Sequence, residues 1–85
     1  MRIGELIGAK LQAAFTPVMI DVVDESEKHR GHAGHREEGE SHFHVILRAP
    51  LFAEMSRLER HRAVHAALGA ELVGRIHALS LDLGA

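Results

Sequence analysis

The chain has 85 residues, of which 46% are hydrophobic and 26% are charged, and its formal net charge is −2 with neutral histidines. This length predicts one domain, spanning residues 1–85, and the charge gives no overall attraction to nucleic acid or to an anionic membrane. The absence of cysteine excludes disulfides and any thiolate metal site that the chain could make alone. No apolar run reaches the length of a membrane span, and the N-terminus lacks the apolar core of a secretory signal, so we expect a cytoplasmic protein.

The first predicted element is a helix at residues 2–15. It is indicated by an apolar stripe whose members recur three or four positions apart, which is the period of one helix face. The stripe consists of Ile3, Leu6, Ile7, Leu11, Ala14 and Phe15. Pro17 should end the helix, because a proline disfavours the helical conformation of the residue before it and would hold Thr16 extended.

Two strands are predicted on either side of a polar segment. The first spans residues 18–25, and one of its faces is made of Val18, Ile20 and Val22. The second spans residues 41–49, and one of its faces is made of Phe43, Val45, Leu47 and Ala49. Because side chains alternate along a strand, His42 and His44 should lie on the opposite, outer face.

The stretch from Lys28 to His44, which includes the start of the second strand, contains five of the eight histidines. Three of them, His29, His32 and His35, recur every third position with glycines between them, which predicts a long polar loop that orders only on binding. Three imidazoles could bind zinc together, although zinc sites usually rest on rigid elements. The alternative is a solvated loop whose histidines bind nothing.

The second helix is predicted to begin after Ser56 and to run to about Leu68. Ser56 and Glu59 match the S-x-x-E capping box, in which each side chain accepts a hydrogen bond from the backbone of the other residue. The predicted core stripe of this helix consists of Leu58, His61, Val64, His65 and Leu68. Gly69 should interrupt the helix, and a short helical piece should follow and end at Gly74.

His61 and His65 lie one helical turn apart, so a metal could bridge them. The metalloprotease motif H-E-x-x-H requires glutamate at the position of Arg62, and its absence rejects that chemistry. The favoured interpretation is that both histidines belong to the core. No Ser/His/Asp set, Cys/His set or phosphate-binding loop can be assembled, so we do not expect an enzyme.

The last predicted strand spans residues 76–83. Its alternation predicts that His77 begins a core-facing row, which Leu79, Leu81 and Leu83 continue. Together with the histidine-bearing loop, His77 suggests a half-site of two histidines that needs further ligands from elsewhere. The order of elements predicts a small α+β domain, in which helices cover one face of a three-stranded sheet.

The chain resembles the BolA-like proteins over nearly its whole length. The segments that carry the resemblance are VVDES at 22–26, HRGH at 29–32, SHF at 41–43, RHRAVHAAL at 60–68 and IHAL at 76–79. The resemblance implies an α-β-β-α-α-β domain with a class II KH-like topology, which agrees with the order of elements predicted above.

The resemblance also implies a function and the residues that carry it. BolA-like proteins pair with monothiol glutaredoxins and share a bridging 2Fe–2S cluster, in iron homeostasis and cluster maturation. The glutaredoxin side brings its cysteine and a glutathione thiol. This chain would bring His77 and one loop histidine, for which His29 is the best match and His32 the second, while His35 leaves the loop ligand ambiguous.

The family also includes transcriptional regulators, so DNA binding is the alternative function. Local positive charge in and after the second helix comes from Arg57, Arg60, Arg62 and Arg75. Glu59 and Glu71 lie among these arginines, and the net charge is negative, so we rank DNA binding below cluster sharing. A third interpretation is an interaction module whose histidines bind nothing.

Overall fold

The computed structural model describes residues 2–25 and 42–85, which form three helices and a three-stranded sheet. The elements are α1 (Ile3–Phe15), β1 (Met19–Asp24), β2 (His42–Arg48), a 3-10 turn (Pro50–Phe52), α2 (Arg57–Leu68), α3 (Ala70–Gly74) and β3 (Ala78–Gly84). The central strand β2 pairs antiparallel with β1 and parallel with β3. This arrangement confirms the predicted α+β class. No helix in the described ranges is long and apolar enough to span a bilayer.

The core lies between the helices and the inner face of the sheet. The predicted alternation of β2 is confirmed, since Phe43, Val45, Leu47 and Ala49 are all buried. The helices cover this face with Ile3, Ile7, Leu11, Phe15, Val64, Leu68 and Leu72. The side chains of β2 that point the other way are half-buried, as expected for the outer face of a central strand.

The end of α1 differs from its prediction. Thr16 is left-handed, with φ 44° and ψ 59°, rather than extended. Its backbone N–H donates to the carbonyl oxygen of Gln12 at 3.1 Å, so it closes the last helical turn, and this capping bond overrides the preference imposed by Pro17. Ala14, assigned to the buried stripe, is exposed, because the helix buries the narrower row Ile3, Ile7, Leu11 and Phe15.

The start of α2 is the capping box that the sequence predicts. The backbone N–H of Glu59 donates to Ser56 Oγ at 3.1 Å, and the backbone N–H of Ser56 donates to Glu59 Oε1 at 2.7 Å. The hydrogen bond from the Ser56 backbone, followed by that from its side chain, lowers the pKa of the Glu59 carboxyl. The helix ends at Gly69, whose φ of 88° is left-handed.

The core stripe predicted for α2 is partly wrong. Val64 and Leu68 are buried, but Leu58 is 57% exposed and His65 is also exposed, while His61 is half-buried. The helix packs against α1 and β3 through a narrow strip, so it needs fewer apolar residues than the sequence pattern suggested. Val18, which the predicted strand places on one face with Ile20 and Val22, lies before β1 begins and is 74% exposed.

The largest fully buried side chain, Phe52, belongs to the 3-10 turn between β2 and α2. Its ring packs on Phe15, with ring centroids 4.9 Å apart and an interplanar angle of 48°. Phe52 was not predicted to lie in the core, because an isolated aromatic residue in a short turn has no helical or strand period to reveal it. The turn therefore joins the C-terminal end of α1 to the rest of the core.

Candidate functional site

The predicted ligand His77 is exposed and lies immediately before β3. Its ring stacks on the ring of His42, the first residue of β2, with centroids 4.7 Å apart and an interplanar angle of 26°. The prediction that His77 begins a core-facing row is wrong, because the paired strand starts only at Ala78. The rest of that row, Leu79, Leu81 and Leu83, does pack against the core.

Two further side-chain contacts join β2 to β3 beyond the paired histidines. His44 Nδ1 and Ser80 Oγ form a hydrogen bond of 2.7 Å. Arg48 Nη2 and Asp82 Oδ1 form an ion pair at 3.0 Å, and the Arg48 guanidinium also donates to the Asp82 carbonyl oxygen at 2.9 Å. With the histidine stack, these contacts run along the outer face of the sheet and hold the edge strand β3 in register.

The loop histidines predicted as ligands, His29, His32 and His35, lie outside the described residues. Within residues 2–25 and 42–85, no three His, Asp or Glu side chains are grouped so that they could hold a metal ion. Of the two histidines in the half-site suggested by the sequence, the structure therefore describes only His77. His61 and His65, which sequence analysis considered for a bridging metal, belong to no such group.

The four arginines considered for DNA binding are spread over different parts of the surface. Arg57 and Arg60 line a cleft of about 440 Å³ together with His61, Leu81, Asp82 and Leu83. Arg75 lines a separate cleft of about 370 Å³, which Lys10 and Glu71 also border. Arg62 is exposed on α2. The fold thus brings together only Arg57 and Arg60 in one cleft.

Arg60 also has a structural role that the sequence analysis missed. Its Nε donates to the carbonyl oxygens of Phe52 at 3.0 Å and Met55 at 3.1 Å, and its Nη1 donates to that of Leu83 at 3.4 Å. One guanidinium therefore ties α2 to the segment before it and to β3. Arginine suits this position because its fixed fork of donors can serve several acceptors at once.

Residues 11–85 match the sequence profile of the family described as BolA-like protein. The chain belongs to this family. It is similar to the DNA-binding transcriptional regulator BolA of Escherichia coli strain K12, with 46% identity over 81 residues that make up 95% of this chain and 73% of that protein.

Solved structures of BolA-like domains share the fold. BolA1 from Arabidopsis thaliana has a TM-score of 0.80 at 35% identity, over 95% of this chain and 88% of that one. The BolA domain of SufE1 from Arabidopsis thaliana has a TM-score of 0.79 at 36% identity, over the same shares. The names of these relatives describe a transcriptional regulator, a BolA protein and a BolA domain. The similarity therefore establishes the family and the fold of this chain.

The side chains of this BolA-like chain limit the ligands that it could donate to a metal centre. The chain contains eight histidines and no cysteine, so it can offer imidazole nitrogens to iron but no thiolate. His77 is exposed immediately before β3, so its ring nitrogens are accessible from outside the domain. Any iron–sulfur cluster bound here would need its thiolates from another molecule.

The anchoring of Arg60 gives a testable prediction for stability. Arg60→Ala should lower the free energy of unfolding by about 2–3 kcal/mol, because it removes three hydrogen bonds from a charged donor that is half-buried. Arg60→Lys should recover only part of this loss, since an ammonium lacks the planar fork. Urea denaturation measures the change.

Arg57→Ala is the matched control, since Arg57 is exposed and lies one turn away on the same cleft. It should change stability by no more than about 0.5 kcal/mol. Equal losses for the Arg57 and Arg60 variants would contradict an anchoring role for Arg60.

Proposed function

We propose that this BolA-like protein pairs with a monothiol glutaredoxin and shares a bridging 2Fe–2S cluster with it and with glutathione. The role would lie in iron homeostasis or in the maturation and trafficking of iron–sulfur clusters. The observation that carries the proposal is an exposed imidazole, His77, set against a second aromatic ring in a chain without cysteine. A cytoplasmic location, expected from the sequence, is part of the same proposal.

The ligands are divided between the two proteins according to what each can donate. Iron–sulfur clusters are normally held by thiolates, and these must come from the glutaredoxin cysteine and from glutathione. This chain contributes His77 and one loop histidine, with His29 preferred over His32. Two neutral imidazoles in place of two thiolates remove negative charge, which raises the reduction potential of the cluster, as in Rieske centres.

The stacked position of His77 suits this task in two ways. Its exposure leaves the ring accessible to a second protein, whereas a buried imidazole would first have to move. Its place at the junction of α3 and β3 is defined on both sides, because the backbone N–H of Ile76 donates to the carbonyl oxygen of Val73 at 3.1 Å and Ala78 pairs with His42. A ligand held in this way loses little conformational entropy on binding.

Reconstitution tests the proposal. The purified chain is mixed with a monothiol glutaredoxin, glutathione, iron and sulfide, and the products are separated by size exclusion. We expect a coloured 1:1 complex whose visible circular dichroism differs from that of the glutaredoxin alone. The chain treated alone in the same way should stay colourless. A stable cluster on the isolated chain, or a cluster that never involves the chain, would contradict the proposal.

DNA binding is the second candidate, favoured by the name of the Escherichia coli relative and by the cleft that Arg57 and Arg60 line. The guanidinium of Arg60 already donates to three carbonyl oxygens, and Asp82 borders the same cleft. The cationic surface available to phosphates is therefore small. We propose that any DNA binding is weak and independent of sequence.

The dependence of DNA affinity on salt concentration measures how many phosphate contacts the chain makes. Each phosphate contact releases counterions, so two or three effective arginine contacts predict a slope of log affinity against log salt of about −2 to −3. Protonation of loop histidines should strengthen binding from pH 8 to pH 6. Fluorescence anisotropy gives the salt slope and the change in affinity with pH, and two duplexes of different sequence show whether binding depends on sequence. Nanomolar binding to one duplex alone, at pH 8 and physiological salt, would instead make transcriptional regulation the leading function.

A further inference from the structure

The contact between His42 and His77 joins two residues that are far apart in the sequence and differ in how firmly they are held. His42 begins the central strand, and its carbonyl oxygen accepts a hydrogen bond from the backbone of Glu25 at 2.7 Å. Its neighbour Phe43 is 2% exposed, which fixes this end of β2 in the core. The side chain of His42 is itself half-buried. It is therefore a well-supported ring at the edge of the candidate site.

The backbone of His77 is positioned by its neighbours, but its side chain lacks the support that His42 has. His77 is exposed and stands outside the paired part of β3, which begins at Ala78. Within the described part of the chain, its one aromatic ring contact is the stack on His42. An exposed imidazole without such a contact samples several rotamers. A ring packed on its face restricts those rotamers and selects the direction in which the ring nitrogens point.

We propose that His42 is a positioning residue for His77, which it holds by ring stacking in the orientation that presents a nitrogen to a shared metal centre. The metal-binding role of His77 rests on the proposed function, but the orientation of its ring is a property of the isolated chain. Metal ligands need such support, because their rotamers must be fixed by neighbouring groups for the geometry to be productive. Loss of such a neighbour typically weakens metal binding by about 10–100-fold.

Three variants separate stacking from other roles of the ring. His42→Ala removes the ring. His42→Phe keeps a planar ring of similar width but removes both nitrogens, so it should preserve the stack. His44→Ala is the matched control. His44 lies on the same face of β2, but it forms a hydrogen bond with Ser80 and does not stack on His77. Thermal unfolding of all three variants reports whether the domain remains folded.

The first measurement uses the isolated chain. Proton NMR should detect nuclear Overhauser effects between the rings at positions 42 and 77 in the wild type and in His42→Phe. In His42→Ala, the His77 ring signals should lose the ring-current shift and approach random-coil values. In His44→Ala they should remain at the wild-type positions. His77 signals that are the same in the wild type and in His42→Ala would overturn the proposal.

The second measurement uses the complex reconstituted with a glutaredoxin and glutathione. The concentration of an iron chelator that removes half of the iron should fall roughly tenfold for His42→Ala and stay near the wild-type value for His42→Phe and His44→Ala. If the wild-type complex holds a cluster and His42→Ala resists the chelator equally well, His42 does not position the ligand, although the proposed function stands. Failure of His42→Phe to rescue would also overturn the stacking role. If the wild type forms no cluster, both proposals fail.

Discussion

His77→Ala is expected to damage the shared cluster more than any single substitution of a loop histidine. The reason is that the loop contains three histidines that could serve as the ligand, whereas the start of β3 offers one. His29, His32 and His35 lie close together in the sequence and could replace one another as a ligand. His77 is the one histidine at the start of β3, and its position is fixed by the paired strand that follows. Visible circular dichroism and iron content of the complex measure the loss.

The loss for His77→Ala should exceed the roughly tenfold effect expected of a residue that merely orients a ligand. Because His77 is exposed, the substitution should change the free energy of unfolding by no more than about 0.5 kcal/mol, so the folded domain is retained. His65→Ala, which also removes an exposed histidine, is the matched control and should leave the cluster spectrum unchanged. Equal damage from His77→Ala and from a single loop variant would refute the assignment of His77 as the fixed ligand.

Phe52→Ala is expected to lower the free energy of unfolding by about 3–5 kcal/mol. Phe52 is fully buried, and the substitution leaves a cavity beside Phe15, between α1 and the turn that follows β2. Domains of this size have a small free energy of unfolding, so this loss would be a large fraction of it. For a chain of this length, each kcal/mol lowers the melting temperature by about 4–8 °C.

Two companion variants complete this measurement. Phe52→Leu retains most of the volume and should lose less than Phe52→Ala, and it stays measurable if the alanine variant does not fold. Leu51→Ala changes the neighbouring residue in the same turn, which is 55% exposed, and should cost no more than about 0.5 kcal/mol. A loss for Leu51→Ala as large as that for Phe52→Ala would mean that the turn is not part of the core.

Strict local patterns made most of the fold predictable from the sequence. The alternation around Phe43 and Val45 places β2 and its faces correctly, because a central strand repeats every two residues and tolerates few exceptions. The capping box of Ser56 and Glu59 fixes the start of α2 through two local hydrogen bonds. Gly69 marks its end through a backbone conformation that glycine readily adopts.

The errors arise where tertiary contacts outweigh local pattern. Leu58 and His65 match a helical stripe, yet α2 needs only a narrow strip against α1 and β3, so both remain exposed. Phe52 is buried by a turn that has no period of its own. The error at Thr16 has a local cause instead, since a capping hydrogen bond to Gln12 in the last helical turn outweighs the influence of the following proline.

The resemblance to BolA-like proteins names His77 as a candidate ligand, and that assignment stays a prediction. The structure shows that His77 is exposed, but its surroundings could not be predicted from the sequence. The stack on His42 joins residues of two strands that are adjacent in the sheet but distant in the chain. That adjacency depends on the parallel pairing of β2 and β3, which no local pattern encodes. The hydrogen bonds of Arg60 were not predictable either, since its acceptors are backbone carbonyl oxygens in a turn and on β3 that no side-chain pattern reveals.

The most direct test asks whether nitrogen atoms of this chain bind the cluster. The chain is labelled with ¹⁵N-histidine, combined with unlabelled glutaredoxin, glutathione, iron and sulfide, and the purified complex is reduced by one electron. Pulsed electron paramagnetic resonance then detects nuclei coupled to the unpaired spin. Strong coupling to ¹⁵N that weakens in His77→Ala is the predicted result. A reduced cluster that shows no strong ¹⁵N coupling in the wild-type complex would mean that thiolates alone hold it, and would contradict the account.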